Sequence, residues 1–177
     1  MLLPSVTVVC SHFFPPWNPS DEAANRGKSV HRLCFERATL PPEQWSDVPK
    51  AQRGYVDAFL EWRDLYRPVF HVEACETHRI SEKLGVHGTP DLVATMGDGI
   101  IAVVDLKSGG APPYVDMQVP AYRRLLCDTW GKVDHGAWLI LKANGGSKFR
   151  VQDATEDGFS WEWDGGDFLL REVEDEA

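Results

Sequence analysis

The stretch HGTPDLVATMGDGIIAVVDLKSG, residues 87–109, contains two runs of β-forming residues joined by a short turn signal. Residues 91–96 and 100–106 form the two runs, and an Asp98-Gly99 pair lies between them. An Asp-Gly pair in this position predicts a β-hairpin closed by a type I′ turn, which needs positive φ angles at its central residues. The rest of the sequence is interpreted around this hairpin.

Three charged side chains meet at the open end of the predicted hairpin. Asp105 and Lys107 lie on one face, because side chains at i and i+2 of a strand point the same way. The hairpin brings Asp91 close to residue 106 on the partner strand. Two carboxylates suit Mg²⁺ or Mn²⁺, and such an ion lowers the pKa of a bound water and offsets charge on a phosphate. A lysine beside that water orients it and helps to remove its proton, or stabilises the phosphate oxygens.

An ion-paired strand end at the protein surface is the alternative interpretation of these three charges. The sequence motifs around them favour chemistry. Pro90-Asp91, followed after thirteen residues by Asp105-Leu106-Lys107, resembles the signature of the PD-(D/E)XK nucleases. Residues 118–122, QVPAY, resemble the QxxxY motif of the RecB-like and phage exonuclease branch, and residues 26–31, RGKSVH, resemble its G-x-x-x-H helix. The opening LPSVT, residues 3–7, resembles the start of many phage-type members.

The resemblance implies an α/β fold with a restriction-endonuclease-like core, in which a mixed central β-sheet is flanked by helices in the order αβββαβ. The periodicities of the sequence permit this topology. We expect residues 1–177 to form a single domain, with an acidic tail from about residue 172. The chain is long enough for one core, and 43% hydrophobic residues with seven tryptophans are typical of a folded protein.

Local patterns predict the individual elements. Residues 4–10 read as an extended segment, and Ser20 as the cap of a helix that ends near residue 38. A second helix is predicted over residues 47–66, capped by Ser46 or Asp47. Further predictions along the chain are a strand over 69–78, a connector over 80–88, a helix over 117–130 capped by Asp116, strands over 135–143 and 148–152 around an Asn144-Gly145 turn, a strand-like alternation over 159–163 and a short helix over 167–173.

His31 lies on the first predicted helix, one turn after Gly27. The resemblance implies that His31 is a metal ligand additional to the carboxylates, and a structural histidine is the alternative. Gly27 lowers helix propensity, which makes sense where another backbone or a nucleic-acid strand approaches closely.

The resemblance also implies roles for the motif residues. Asp91 and Asp105 would hold the metal ion with His31 and the Leu106 carbonyl, and Lys107 would position the attacking water. Gln118 and Tyr122 share a helix face and would bind the substrate phosphate or orient the lysine. A buried polar pair that braces the helix is the alternative for them. Pro120 departs from the usual motif and predicts a bend or a delayed helix start.

Glu73 matches, approximately, a family position in which a glutamate on the preceding strand contacts metal through water or binds a second ion. Glu76 competes for the same role. A paired surface carboxylate is the alternative interpretation.

The net charge of −9 is unevenly distributed. From Asp153 onward the chain has ten acidic residues and one basic residue, so the first 152 residues are neutral overall. A local basic track is sufficient for phosphate contacts, and four candidates for nucleic-acid binding are Arg26, Lys28, Arg123 and Arg124. Tyr114, in the SGGAPPY loop of residues 108–114, is placed to stack on a base. Solvated faces and a plain linker are the alternatives.

The four cysteines are scattered and form no CxxC pair, which argues against a zinc site. Some RecB-like nucleases carry a four-cysteine cluster, but this sequence lacks the C-terminal group, so no iron–sulfur cluster is expected. Reduced thiols are typical of cytoplasmic proteins. No apolar run approaches the roughly 20 residues of a membrane helix, and the start lacks a basic region typical of a signal peptide. We therefore expect a cytoplasmic protein without membrane contact, in the host cytoplasm if a phage encodes it.

The resemblance implies a Mg²⁺- or Mn²⁺-dependent DNA nuclease, specifically an exonuclease of phage-type recombination, replication or repair. Its partner is DNA, and a single-strand annealing or other recombination protein is a candidate second partner. One alternative is a non-catalytic nucleic-acid-binding or inhibitory protein on the same fold, since a fold does not determine activity. Another is a structural partner protein whose acidic tail mimics DNA.

Overall fold

The computed structural model describes residues 3–152 in full and the backbone of residues 159–163 and 168–172. The helices are α1 (Val6–His12), α2 (Asp21–Thr39), α3 (Arg53–Tyr66) and α4 (Val115–Thr129). The strands are β1 (Val69–Phe70), β2 (Arg79–Ser81), β3 (Val86–Gly88), β4 (Leu92–Thr95), β5 (Ile101–Ser108), β6 (His135–Leu141), β7 (Ser147–Gln152), β8 (Phe159–Trp163) and β9 (Phe168–Glu172).

The predicted hairpin is confirmed as β4 and β5, which pair antiparallel with Leu92 opposite Val104. Its turn differs from the prediction. Gly99 has φ of 87°, but Asp98 does not have a positive φ, and the Gly99 N–H donates to the Met96 carbonyl at 2.8 Å. This is the geometry of a tight turn followed by a left-handed glycine, the other common short connection. The register still brings Asp91 opposite Asp105.

The central sheet has five strands in the order β1-β4-β5-β6-β7. The pairs β1–β4, β4–β5 and β6–β7 are antiparallel, and the pair β5–β6 is parallel. A parallel pair needs a long crossover, which α4 supplies between β5 and β6. With α2 ahead of β1, the elements follow the αβββαβ order, and the predicted mixed α/β fold of the restriction-endonuclease type is confirmed.

Helices cover this sheet. α4 packs against β5 and β6 and is contacted by α1, whereas α2 packs against α3 and β5, and α3 against β6 and β7. The Ser20 hydroxyl accepts from the Ala23 N–H at 3.2 Å, so the predicted cap of α2 is confirmed. No helix among the described residues has the length and apolarity needed to cross a membrane.

The extended segment predicted over residues 4–10 is wrong, because α1 lies there. The Ser5 hydroxyl caps it by accepting from the Val8 N–H at 3.2 Å. Val6, Val9 and Cys10 are buried, and their i, i+3, i+4 spacing is that of a helix face. β-branched composition suggested a strand, but packing of this face overrides so weak a preference.

The strand predicted over residues 69–78 ends at Phe70, because the chain turns there. The Ala74 and Cys75 N–H groups both donate to the His71 carbonyl. The connector predicted over residues 80–88 is instead a hairpin of β2 and β3, with Ile80 opposite His87.

Two further boundaries differ from prediction. α3 begins at Arg53 after a 3₁₀ turn at residues 50–52, and neither Ser46 nor Asp47 caps it. The short helix predicted over residues 167–173 is wrong, because Phe168–Glu172 is strand β9, antiparallel to β8. Pairing with β8 satisfies the backbone of these residues instead. The rest of the predicted acidic tail lies outside the described residues.

Pro120 lies inside α4 without delaying its start, since the helix begins at Val115. Proline has no N–H, so the Asp116 carbonyl loses its helical donor. The Gln152 side chain replaces that donor, with Nε2 3.2 Å from the Asp116 carbonyl oxygen. The Asp116 side chain accepts from the Trp138 indole at 3.0 Å, and it does not cap the helix as predicted.

Gly54 is expected to be intolerant of a side chain. A Cβ at this position would lie 1.8 Å from the carbonyl oxygen of Ala143, in the backbone of the β6–β7 turn. Gly54→Ala should therefore cost about 1–3 kcal/mol, as overpacking does, and lower Tm by roughly 3–10 °C in a thermal melt.

The matched control is Gly27→Ala, in the middle of α2. Its Cβ would meet only the Ser108 hydroxyl, at the ordinary distance of 3.7 Å. Alanine favours a helix by up to about 1 kcal/mol over glycine, so this variant should melt at or above the wild-type temperature. A Gly54→Ala protein as stable as wild type would contradict the packing of α3 on that turn.

Candidate functional site

Asp91 lies just ahead of β4, where the β4–β5 ladder ends. Its Oδ2 accepts from the Leu106 backbone N–H at 2.6 Å, and its Oδ1 lies 3.3 Å from His31 Nδ1. Burial by itself would raise the pKa of Asp91, but His31, Lys107 and the Leu106 N–H hold it below its usual range. Asp91 is therefore an ionised, largely buried carboxylate that joins β4, β5 and α2.

Asp105 and Lys107 point the same way from β5, as the strand period predicted. Lys107 Nζ lies 2.5 Å from Asp105 Oδ2, and apart from this ion pair that oxygen has no hydrogen-bond partner in the part of the chain that the structure describes. Burial and the charge of Asp91 raise the pKa of Asp105, against the opposing effect of Lys107. Asp105 is only 3% exposed, so the interpretation as an ion pair at the surface is wrong.

His31 reaches this cluster from α2. Burial lowers the pKa of His31, but the charge of Asp91 and the contact with it outweigh burial and raise the pKa to about 9. The imidazole is thus a cationic partner of Asp91 in the metal-free protein. Its position beside a buried carboxylate is that of a potential metal ligand, which would bind in the neutral form.

Glu76, and not Glu73, lies beside Asp91. Glu73 is in the turn after β1, with its carboxylate exposed and 3.9 Å from His71 Nδ1, so its predicted place on a strand is wrong. Glu76 has a left-handed φ of 49°, and its N–H donates to the carbonyls of Pro90 and Asp91. Such a φ is uncommon outside glycine, and here the backbone of the Pro90-Asp91 motif holds it.

The ligand atoms of His31, Glu76 and Asp91 all lie within 4.8 Å of one another. Burial and the charge of Asp91 raise the pKa of Glu76 to about 7. Crowded carboxylates repel one another, and a divalent cation relieves that repulsion. The oxygen-rich set with one imidazole, beside the Asp105 carboxylate, therefore fits a hard cation such as Mg²⁺ or Mn²⁺.

Asp105 and Leu106 complete the surroundings of this group. Asp105 is not one of the three clustered residues, but its pKa responds to Asp91, His31 and Lys107, which places it in the same electrostatic unit. Leu106 donates its N–H to Asp91 and lines the adjacent groove. Its carbonyl as a metal ligand stays a prediction.

Gln118 and Tyr122 lie one turn apart on α4, and both are buried. Gln118 Nε2 donates to the Thr7 hydroxyl at 3.0 Å. Burial raises the pKa of Tyr122 to about 12, although hydrogen bonds with Thr7 and Gln118 lower it in part. Tyr122 lies within electrostatic reach of Lys107, and the Gln118–Thr7 hydrogen bond connects the pair to α1.

Four of the predicted nucleic-acid-binding residues separate into two groups. Arg26 and Lys28 line a groove together with Lys107. Arg123 instead donates to the Asp134 carbonyl at 3.0 Å, beside the closed end of the hairpin at Asp98. Arg124 follows it on α4 and is half-buried.

Tyr114, the fifth predicted nucleic-acid-binding residue, also lines the groove, but it is 8% exposed and lies against Phe14, with ring centroids 6.4 Å apart. A ring packed in this way has little free face for a base. Tyr114 therefore fits the wall of the groove better than a stacking platform.

Two residues were missed by the sequence analysis as site components. Thr7 belongs to the LPSVT segment, whose resemblance to the start of phage-type members predicts no role for an individual residue. Glu76 was weighed only as a competitor of Glu73. The hydroxyl at residue 7 and the turn that aims Glu76 depend on contacts more than ten residues away, and no local pattern signals them.

Thr7→Val should destabilise the protein and disturb the Gln118–Tyr122 pair. Valine keeps the shape but removes the hydroxyl, which leaves the buried Gln118 amide without its acceptor. The expected loss is about 1–3 kcal/mol in the free energy of unfolding, measured by chemical denaturation. Thr39→Val is the control, because the Thr39 hydroxyl only bonds back to the Phe35 carbonyl of its own helix. Equal stability of the two variants would contradict the bracing role of Thr7.

The sequence model of the PD-(D/E)XK nuclease superfamily matches residues 16–165, which is more than half of the chain. The match covers the site on α2, the hairpin and α4, and omits α1. Among curated proteins, none matches the chain significantly.

Proposed function

Because the chain belongs to the PD-(D/E)XK nuclease superfamily, we propose that it is a metal-dependent DNA nuclease whose active site is the open end of the β4–β5 hairpin. One observation carries the proposal: His31, Glu76 and Asp91 converge beside the Asp105–Lys107 ion pair. Asp105 is buried and Asp91 and Lys107 are largely so, and buried charges are costly to a fold. Perturbed carboxyl and amine groups in a groove are typical of active sites.

Asp91, Asp105, His31 and the Leu106 carbonyl would hold Mg²⁺ or Mn²⁺, and Glu76 would take the role first considered for Glu73. A bound divalent ion lowers the pKa of its water and offsets the charge that builds on the phosphate. The Leu106 N–H fixes the orientation of Asp91 through its Oδ2. The remaining chemistry belongs to the side chains around this set.

Lys107 orients the attacking water and stabilises the phosphate oxygens. Burial lowers the pKa of Lys107, but the charges of Asp105 and Asp91 raise it by more, so the net shift is upward. A lysine held in the cationic form donates hydrogen bonds and is a poor base. In the metal-free protein Lys107 is therefore a hydrogen-bond donor, which supports orientation of the water and charge stabilisation among the roles expected from sequence.

Gln118 and Tyr122 position Lys107 from behind. Both side chains are buried, which supports a positioning role more than direct contact with a long substrate. In this proposal α1 contributes to the site through the Thr7 hydroxyl. Gln118 and Tyr122 can brace α4 and position Lys107 at the same time.

The finer assignment rests on the resemblance to the RecB-like branch. We propose that the protein is an exonuclease of phage-type recombination, replication or repair, that it acts in the cytoplasm as a single domain, and that a single-strand annealing or other recombination protein works with it. The QxxxY-like residues Gln118 and Tyr122, and His31 on α2, support this branch.

Mg²⁺ is expected to stabilise the fold. An ion that binds only the folded state at about 100 times its Kd adds about 2.7 kcal/mol, or roughly 5–10 °C in Tm for a chain of this size. Thermal melts in EDTA and in millimolar Mg²⁺ or Mn²⁺ measure the shift. Glu76→Gln should reduce it, while Glu73→Gln, a carboxylate three residues away, should leave it unchanged. A melt insensitive to both ions would contradict the metal site.

Lys107→Ala should keep DNA binding but lose about 10²- to 10³-fold in cleavage rate, the usual loss when one stabilising donor is removed. Linear duplex, nicked circle, covalently closed circle and single strand are incubated with Mg²⁺ or EDTA. The closed circle has no end, so an endonuclease cuts it and an exonuclease does not. Lys132→Ala is the control, because Lys132 pairs with Asp134 at the surface. Wild-type protein that binds but cuts none of these substrates would favour the non-catalytic alternative, and equal cutting by Lys107→Ala would reject its role.

A further inference from the structure

A groove of about 380 Å³ opens beside Lys107, between α2 and the segment that follows β5. Its lining includes three cationic side chains, Arg26, Lys28 and Lys107, together with His31, and it includes no carboxylate. The whole chain has 27 acidic and 18 basic residues, so a lining whose charged residues are all basic departs from the average composition. The volume lies in the range of small-ligand pockets, and the charge suits a phosphate.

Arg26 is incompletely satisfied by the protein. Its Nε is buried without a hydrogen-bond partner in the part of the chain that the structure describes, and its terminal nitrogen lies 3.5 Å from the Ser108 carbonyl, at the limit of a hydrogen bond. Buried polar groups normally have partners. An anion at this end of the groove would supply acceptors for the guanidinium.

Trp17 forms the outer wall of the groove. It is 44% exposed, whereas the other tryptophans of residues 3–152 are half-buried or buried. Prolines at positions 15, 16 and 19 surround it and restrict the backbone, so little entropy is lost when a ligand contacts the ring. The tip of the indole lies 3.9 Å from where a Cβ of residue 110 would stand, at the mouth of the groove.

The groove is continuous with the metal-binding side of the site. A second opening of about 360 Å³ is lined by Glu76 and Asp91 and shares Lys28 and His31 with the first. A strand that passes His31 thus has the carboxylates on one side and the cations with Trp17 on the other. The next nucleotide along that strand falls in the cationic groove.

We propose, resting on the nuclease function above, that this groove binds one nucleotide of an unpaired DNA strand next to the scissile phosphate. Its base stacks on Trp17, and its phosphate contacts Arg26 and Lys28. A base inside a duplex has both faces covered by its neighbours, so stacking on an aromatic side chain requires an unpaired base. The substrate at this site is therefore single-stranded DNA or a frayed duplex end.

Binding to short DNA without cleavage tests this subsite. Fluorescence polarisation of a labelled oligothymidylate, in EDTA and in Ca²⁺, gives Kd for wild type and variants. Trp17→Ala should weaken binding by about 5- to 150-fold, the range for one stacked base, and Trp17→Phe should restore most of it. Leu65→Ala, an exposed apolar residue on α3, is the control and should bind as wild type does.

An oligonucleotide with abasic sites separates stacking from other contacts. On the abasic strand, Trp17→Ala and wild type should bind equally. Wild-type affinity of Trp17→Ala for the base-containing strand would overturn the subsite, and so would an equal loss on both strands or no wild-type binding to either. Thermal melts identify any folding defect in Trp17→Ala. If there is one, Trp17→Phe is used instead, and it should bind the base-containing strand more tightly than the abasic strand.

The two proposals fail in distinguishable ways. Trp17-dependent binding by a protein that cuts no DNA in Mg²⁺ supports the subsite and rejects the nuclease function. Efficient cleavage of single strands that is indifferent to Trp17→Ala, with equal Kd, rejects the subsite and leaves the nuclease function in place.

Discussion

The carboxylate of Asp91 is the constraint on which the rest of the site depends. One of its oxygens accepts the Leu106 N–H at 2.6 Å, beyond the last ladder pair of β4 and β5, and the other contacts His31 of α2 at 3.3 Å. Removing one partner of a buried, charged contact typically costs about 3–5 kcal/mol. A single side chain thus fixes the end of the hairpin, the distance to α2 and the placement of negative charge.

Both negative and positive side chains surround Asp91. Glu76 and Asp105 add negative charge that burial makes unfavourable, which raises the pKa of both groups. Lys107 and His31 offset that charge in the metal-free protein, and both have raised pKa values for that reason, against the effect of burial. Positive side chains thus offset the carboxylate charges without metal, but several oxygen acceptors remain crowded together. A cation bound there would release the positive side chains to act on substrate.

The hairpin and α2 could be predicted from sequence because their signals are local. Asp98-Gly99 between β-forming runs marks the turn, and Ser20 ahead of acidic residues marks the helix start. Glu76 was not assigned, since its aim depends on a left-handed backbone that the carbonyls of Pro90 and Asp91 hold in place. The same applies to Thr7, whose partner Gln118 lies 111 residues away.

Packing also overruled local preference in two elements. The valines of residues 6–9 favour a strand in isolation, but burial of one face against α4 makes them helical. Pro120 predicted a disturbed helix, and α4 tolerates it because Gln152 from β7 donates to the carbonyl left open. Such compensation comes from a distant strand, so no window of sequence around residue 120 contains it.

The most direct test of the account is the position of a bound metal ion. Crystals of the protein grown or soaked with Mn²⁺ give an anomalous difference map that locates manganese without reference to activity. The account predicts a peak shared by the carboxylates of Asp91 and Asp105, with Lys107 alongside. A fully occupied manganese peak elsewhere, or none at those carboxylates under saturating Mn²⁺, would contradict it.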